Sequence, residues 1–165
     1  MKRFKNILCV VSSFDCQELV DRAVALANNN QALLTIVEVI DDVSSSPLVG
    51  QFLSHHELQS KIVDEHKSKL ENIIQSKYEN IVAQSKILVG RPFLEIIREV
   101  IRNNHDLVIK TSKSNRHFDQ KIESDDMHII RKCPCPVWLV KSKAPTPYRC
   151  ILAAVELIIT IQKKN

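Results

Sequence analysis

Short runs of β-branched and other apolar residues, separated by segments of helical periodicity, leave this chain little choice of architecture. Ile7 to Val11 is the first run, ended by Ser12-Ser13. A continuous apolar stretch of this length is what a strand buried on both faces of a parallel sheet requires. Asp15, with Glu18 three positions on, gives an acidic helix cap, after which Leu19, Val20, Ala23, Val24 and Ala27 recur at helical spacing until Asn28-Asn29-Asn30. Leu33 to Ile40 predicts a second strand and Asp41 to Gly50 a loop. A long helix is expected from about Gln51 to Glu79, with Leu58, Ile62, Leu70, Ile73 and Ile74 on one face.

Ala83 to Val89 alternates as a partly exposed strand, and Gly90-Arg91-Pro92 turns into a helix whose stripe is Phe93, Ile96, Ile97, Val100 and Ile101. Leu107 to Ile109 is a short buried strand, Ser124-Asp125-Asp126 caps a last helix through Lys132, and Val137 to Val140 is a fifth strand. The order β-α-β-α-β-α-β-α-β implies right-handed crossovers and a sheet covered by helices on both faces. Ligands in such folds bind beyond the carboxyl ends of the strands. Here those ends are Ser12-Ser13, Asp41-Asp42, Gly90-Arg91 and Lys110 to His117.

With 165 residues, 44% of them apolar, the chain fills one core and no second complete domain. The charge of +4 arises from 23 basic and 19 acidic residues without a block of five like charges, so no nucleic-acid partner is expected. The apolar run Ile151 to Ile161 contains Glu156 and is shorter than the roughly 20 residues a spanning helix needs, so no membrane association is expected. Met1-Lys2-Arg3-Phe4-Lys5 does not lead into an export signal, and five irregularly spaced cysteines predict reduced thiols in a cytosol.

One internal repeat bears on domain organisation. Phe4-Lys5-Asn6-Ile7-Leu8-Cys9-Val10-Val11 returns as Tyr148-Arg149-Cys150-Ile151-Leu152-Ala153-Ala154-Val155. Residues 1–141 are therefore expected to form a domain, 142–147 a linker, and 148–165 the first strand of a second copy.

The strand Ile7 to Val11, the turn Gly90-Arg91-Pro92, Asp106-Leu107-Val108-Ile109 and the terminal Arg131 to Val140 together resemble a universal stress protein domain over residues 4–141. Asp126-Met127-His128-Ile129-Ile130-Arg131-Lys132, followed by Cys133-Pro134-Cys135-Pro136-Val137, is similar to the first half of the tandem, E-type members. The resemblance implies a five-stranded, nucleotide-binding-like parallel sheet in a three-layer α/β/α sandwich. It also implies a cytoplasmic stress-response role and pairing of two such domains, as a homodimer or with a related domain, through the last strand. It implies no established reaction, and no enzyme is expected.

Members that bind ATP carry an Asp after strand one and a glycine-rich pattern after strand four. Here Ser12 stands where the Asp would be, and the glycine positions fall nearest Thr111, Ser114 and Glu123 or Ser124. Backbone N–H groups wrap a phosphate closely where no Cβ blocks the approach, so ATP as a cofactor is disfavoured. Lys110, Lys113, Arg116 and His117, with Gly90, Arg91, Ser12 and Ser13 at neighbouring strand ends, could instead hold an anion by side-chain charge. A solvated basic loop is the alternative.

Other constellations have plain structural readings. Cys133 and Cys135 are separated by a single residue, against two to four in usual zinc pairs, so no metal site is expected. Cys9 reads as a core residue and Cys16 as an inert helix-start thiol, while His55, His56 and His66 read as solvated. Two glycines in the whole chain exclude Walker-type and dinucleotide motifs. Val137-Trp138-Leu139-Val140 would leave an apolar sheet edge and is the expected interface. Two functions follow: a stress-response module acting by protein contact, or a nucleotide- or anion-binding switch using the basic loop.

Overall fold

The computed structural model describes residues 4–12, 17–45, 54–78, 83–112 and 124–141. Its elements are β1 (Asn6–Val11), α1 (Gln17–Asn30), β2 (Leu33–Ile40), a 3-10 turn (Val43–Ser45) and α2 (His55–Lys77). They continue with β3 (Ala83–Val89), α3 (Pro92–Asn103), β4 (Leu107–Ser112), α4 (Ser124–Lys132) and β5 (Val137–Lys141). The five strands are parallel, in the order β3-β2-β1-β4-β5. The expected Rossmann-like α/β architecture is therefore present.

Alternation along β1 divides the core between the two faces of the sheet. Ile7, Cys9 and Val11 pack with Ile36, Ile109, the α1 residues Leu19, Val20 and Ala23, and Leu70 and Ile74 of α2. Leu8 and Val10 pack with Val37, Val108, Ile96 and Val100 of α3 and Ile129 of α4. The chain thus winds out from β1 in both directions, and the direction changes between β1 and β4. That switch leaves a crevice at the carboxyl ends of the two central strands.

Several boundaries differ from the sequence expectation. Helix α2 starts at His55 rather than near Gln51, because Ser54 and Glu57 form a reciprocal capping box: Ser54 Oγ accepts from the Glu57 N–H, and Glu57 Oε2 from the Ser54 N–H. Strand β4 runs on past Ile109 to Ser112, so Lys110 lies within the sheet rather than in a loop. Register with β5 explains the extension, since Lys110, Thr111 and Ser112 pair with Leu139, Val140 and Lys141. On α3 the expected Ile101 is 61% exposed, whereas Glu99 is buried. His66 is not merely solvated, because its Nδ1 lies 3.0 Å from Oε2 of the buried Glu38 on β2.

The amino ends of the strands are pinned by polar groups. Asp106 accepts from the backbone N–H groups of Lys5 and Asn6, fixing β4 against β1, and Asn6 Nδ2 donates to the Asn103 carbonyl at 2.8 Å. Beside them Glu99 accepts from Lys86 Nζ at 2.9 and 2.7 Å and from Asn103 Nδ2 at 2.8 Å. Those partners are what allow a carboxylate to be buried here. His105 is packed against this group, with Nε2 3.9 Å from Glu99 Oε1. Burial pushes its pKa below the ordinary 6.5, and the Glu99 carboxylate and Asn6 backbone offset this only in part.

A histidine held neutral by burial binds fewer protons folded than unfolded, so its contribution is intact above 6.5 and lost as pH falls below that value. In urea unfolding across pH, His105→Asn should therefore show a shallower loss of stability on acidification below 6.5 than the parent. Parallel curves would contradict the assignment.

Candidate functional site

The crevice at the switch point is lined by Val10, Val11 and Ser12 of β1 and its end, Val39 of β2, Pro92 and Ile96 of α3, Lys110 and Thr111 of β4, and Asp125 of α4. Each arrives there for a local reason. The apolar run of β1 stops at the exposed Ser12, Pro92 opens α3 with its missing N–H where no partner is needed, and Asp125 sits in the acidic first turn of α4. The cavity measures about 80 Å³. Known ligand pockets run to roughly 300–1,000 Å³.

Lys110 decides the electrostatics of this crevice. Its side chain, 12% exposed, directs Nζ to within 2.7 Å of Asp126 Oδ1, and Asp126 is fully buried. Nζ also donates to the Thr111 carbonyl at 3.2 Å. Neither Asp126 oxygen makes a hydrogen bond of standard geometry, so Lys110 supplies the compensation for this carboxylate among the described residues. The N-terminal turn of α4 adds a favourable dipole. The ammonium is therefore already neutralised at the point where a free cation would be needed to hold an anion.

The other sequence-singled residues divide into three groups. Ser12, Lys110 and Thr111 meet at the crevice. Gly90 and Arg91 do not line it. Gly90 has φ +132°, its N–H donates to the Ile40 carbonyl at 2.9 Å, and an added Cβ would come 3.3 Å from Glu95 Cγ. That glycine is accounted for by the β3–α3 turn. Ser124 begins α4. Ser13, Lys113, Ser114, Arg116 and His117 lie outside the described residues, as do Asp15, Cys16 and the repeat at 148–155.

Asp126 is the residue that sequence reasoning missed. The sequence pattern reads it as a cap, yet Asp126, Ile129 and Cys133 fall at i, i+3 and i+7 along one helical face, and Ile129 is fully buried. That spacing was the available signal. At the sheet's edge, Val137, Trp138 and Leu139 are partly buried, Val140 is buried, and β5 pairs along one side with β4. Among the described residues there is no group of three or more metal-ligating side chains. No described helix is long and apolar enough to cross a membrane.

Fold and crevice together define a doubly wound α/β domain of the nucleotide-binding-like type. The chain belongs to the universal stress protein family, whose model matches residues 3–141. Universal stress protein E of Photorhabdus laumondii is 29% identical over 164 residues, covering 95% of this chain and 52% of that protein. The Haemophilus influenzae universal stress protein E homolog is 30% identical over 165 residues, covering 94% and 53%. The chain thus spans about half the length of these curated relatives. Among solved structures, hypothetical protein MJ0577 superposes with a TM-score of 0.67 at 26% identity, over 87% of this chain and 100% of that one. Universal stress protein UspA from Lactobacillus plantarum gives 0.65 at 21%, over 85% and 99%.

Removing Lys110 should strand a buried carboxylate. Lys110→Ala is expected to cost about 3–5 kcal/mol, whereas Lys110→Met combined with Asp126→Leu should return most of that loss. Urea unfolding of the three proteins measures this. A Lys110→Ala cost below about 1 kcal/mol, the level of an exposed pair, would contradict the burial argument.

Proposed function

We propose that this chain is a stress-response domain that acts through protein contact and lacks the family's mode of ATP binding. The observation that carries the reading is the commitment of Lys110 to Asp126 in a crevice whose described lining encloses about 80 Å³. The sequence adds that Thr111 and Ser124 stand near positions where ATP-binding members have glycine, and Ser12 where they have Asp. Side chains there obstruct the close backbone approach a triphosphate requires. Family membership supports the stress-response role itself.

The contact surface in this reading is the β5 edge, Val137-Trp138-Leu139-Val140, four uncharged residues before the exposed Lys141 at the end of the sheet. Such an edge invites strand pairing, either with a second copy or with another universal stress protein domain. The half-length match to E-type relatives supports a tandem arrangement, because an alignment covering 95% of the chain extends past residue 141 into the repeat. Residues 142–147 would then be the linker and 148–165 the start of the second repeat. The domain is read as a cytoplasmic non-enzyme.

Isothermal titration with ATP tests this. The reading expects no saturable heat below about 1 mM. Micromolar ATP binding lost in the double variant Lys113→Ala, Arg116→Ala would overturn it in favour of a nucleotide or anion switch built on the basic loop.

A further inference from the structure

The bend between α4 and β5 holds two thiols against each other. Cys133 Sγ and Cys135 Sγ are 3.6 Å apart, and both residues are partly buried beside the core cluster that contains Val108 and Ile129. Their placement is fixed at both flanks. The Cys133 N–H donates to the Ile129 carbonyl at 2.9 Å, closing the last turn of α4, and the Pro136 carbonyl accepts from the Val108 N–H at 3.0 Å on β4. Pro134 and Pro136 restrict φ within the bend. Metal-ligand spacing gave this pair no role, and neither the core nor the crevice requires a second sulfur.

From this geometry we propose that Cys133 and Cys135 form a peroxide-oxidised dithiol, a modification site in which an intramolecular disulfide ties the end of α4 to the start of β5. Two positions along an extended chain span at most about 7 Å, within reach of the 4.4–6.8 Å between Cα atoms that a disulfide accepts. The sulfurs, already 3.6 Å apart, have to close to about 2.05 Å within the short bend between α4 and β5.

The step balances with a hydroperoxide as oxidant. The Cys133 thiolate attacks one peroxide oxygen and breaks the O–O bond; sulfur is oxidised to the sulfenic acid and the other oxygen leaves as hydroxide, which takes up the proton Cys133 had lost. The Cys135 sulfur then attacks the sulfenic sulfur, forming S–S and breaking S–O, and its proton leaves with the oxygen as water. Two thiols and one hydrogen peroxide give one disulfide and two waters. Burial, then the neighbouring Cys133, pushes the Cys135 thiol up to about 12, which suits Cys135 to the second, resolving step rather than the first attack. The inference stands apart from the ATP reading, because it uses neither the crevice nor the basic loop.

Trypsin makes the test direct, since Lys132 and Lys141 bracket a peptide, residues 133–141, that contains both cysteines and no other. The folded protein is treated with hydrogen peroxide, alkylated with iodoacetamide, digested and weighed. The expected peptide is lighter by two hydrogens, carries no alkyl group, and returns to the doubly alkylated form if dithiothreitol precedes alkylation. In Cys135→Ser the sulfenic acid should persist and be trapped by dimedone on Cys133. A doubly alkylated peptide after peroxide treatment would overturn the proposal, and so would a cross-link from either sulfur to Cys9, Cys16 or Cys150. The wild-type measurement decides alone if the variant does not fold.

Discussion

A single buried ion pair, Lys110 on Asp126, governs what the carboxyl end of this sheet can do. Lys110 stands on β4 at the switch between the two halves of the fold, and Asp126 enters from the first turn of α4. An unpaired carboxylate with no exposure would be prohibitively costly, so α4 can dock here only if the lysine turns inward. The same contact that fastens α4 to the sheet therefore removes the cation from the place where a ligand would arrive.

The opposite end of the sheet is organised by polar bonds around a second cavity of about 240 Å³, whose lining includes Asn6, Thr35, Lys86, Glu99 and His105. Asp106 bridges the starts of β1 and β4, and Glu99 gathers Lys86 and Asn103 beside the neutral His105. At both ends of the parallel sheet, buried carboxylates are thus held by lysines of the same chain. The apolar residues Val137 to Val140 of β5 lie at the far end of the strand order. The Cys133-Pro134-Cys135 bend leads directly into that strand, so a covalent change in the bend would be felt first at β5 and at α4.

Elements whose identity depends on local pattern were legible in the sequence. The β-branched run of β1 and the Asn28-Asn29-Asn30 stop of α1 needed no tertiary information, and neither did proline at the start of α3. What escaped were features created by packing. Glu99 is buried and Ile101 exposed because Lys86, on another element, reaches over the carboxylate. Lys110 looked like a loop cation because its pairing with β5 and with Asp126 is long-range. Glu38 and His66 meet across 28 positions, which no short-range spacing reveals. The start of α2 is different: Ser54 and Glu57 spell a capping box that could have been read directly.

A crystal structure of the protein soaked with ATP tests the central claim most directly. The expected density shows Lys110 Nζ still on Asp126 and no nucleotide between the tips of β1 and β4. A lysine swung outward onto a phosphate, with nucleotide ordered over Ser12 and Thr111, would contradict it.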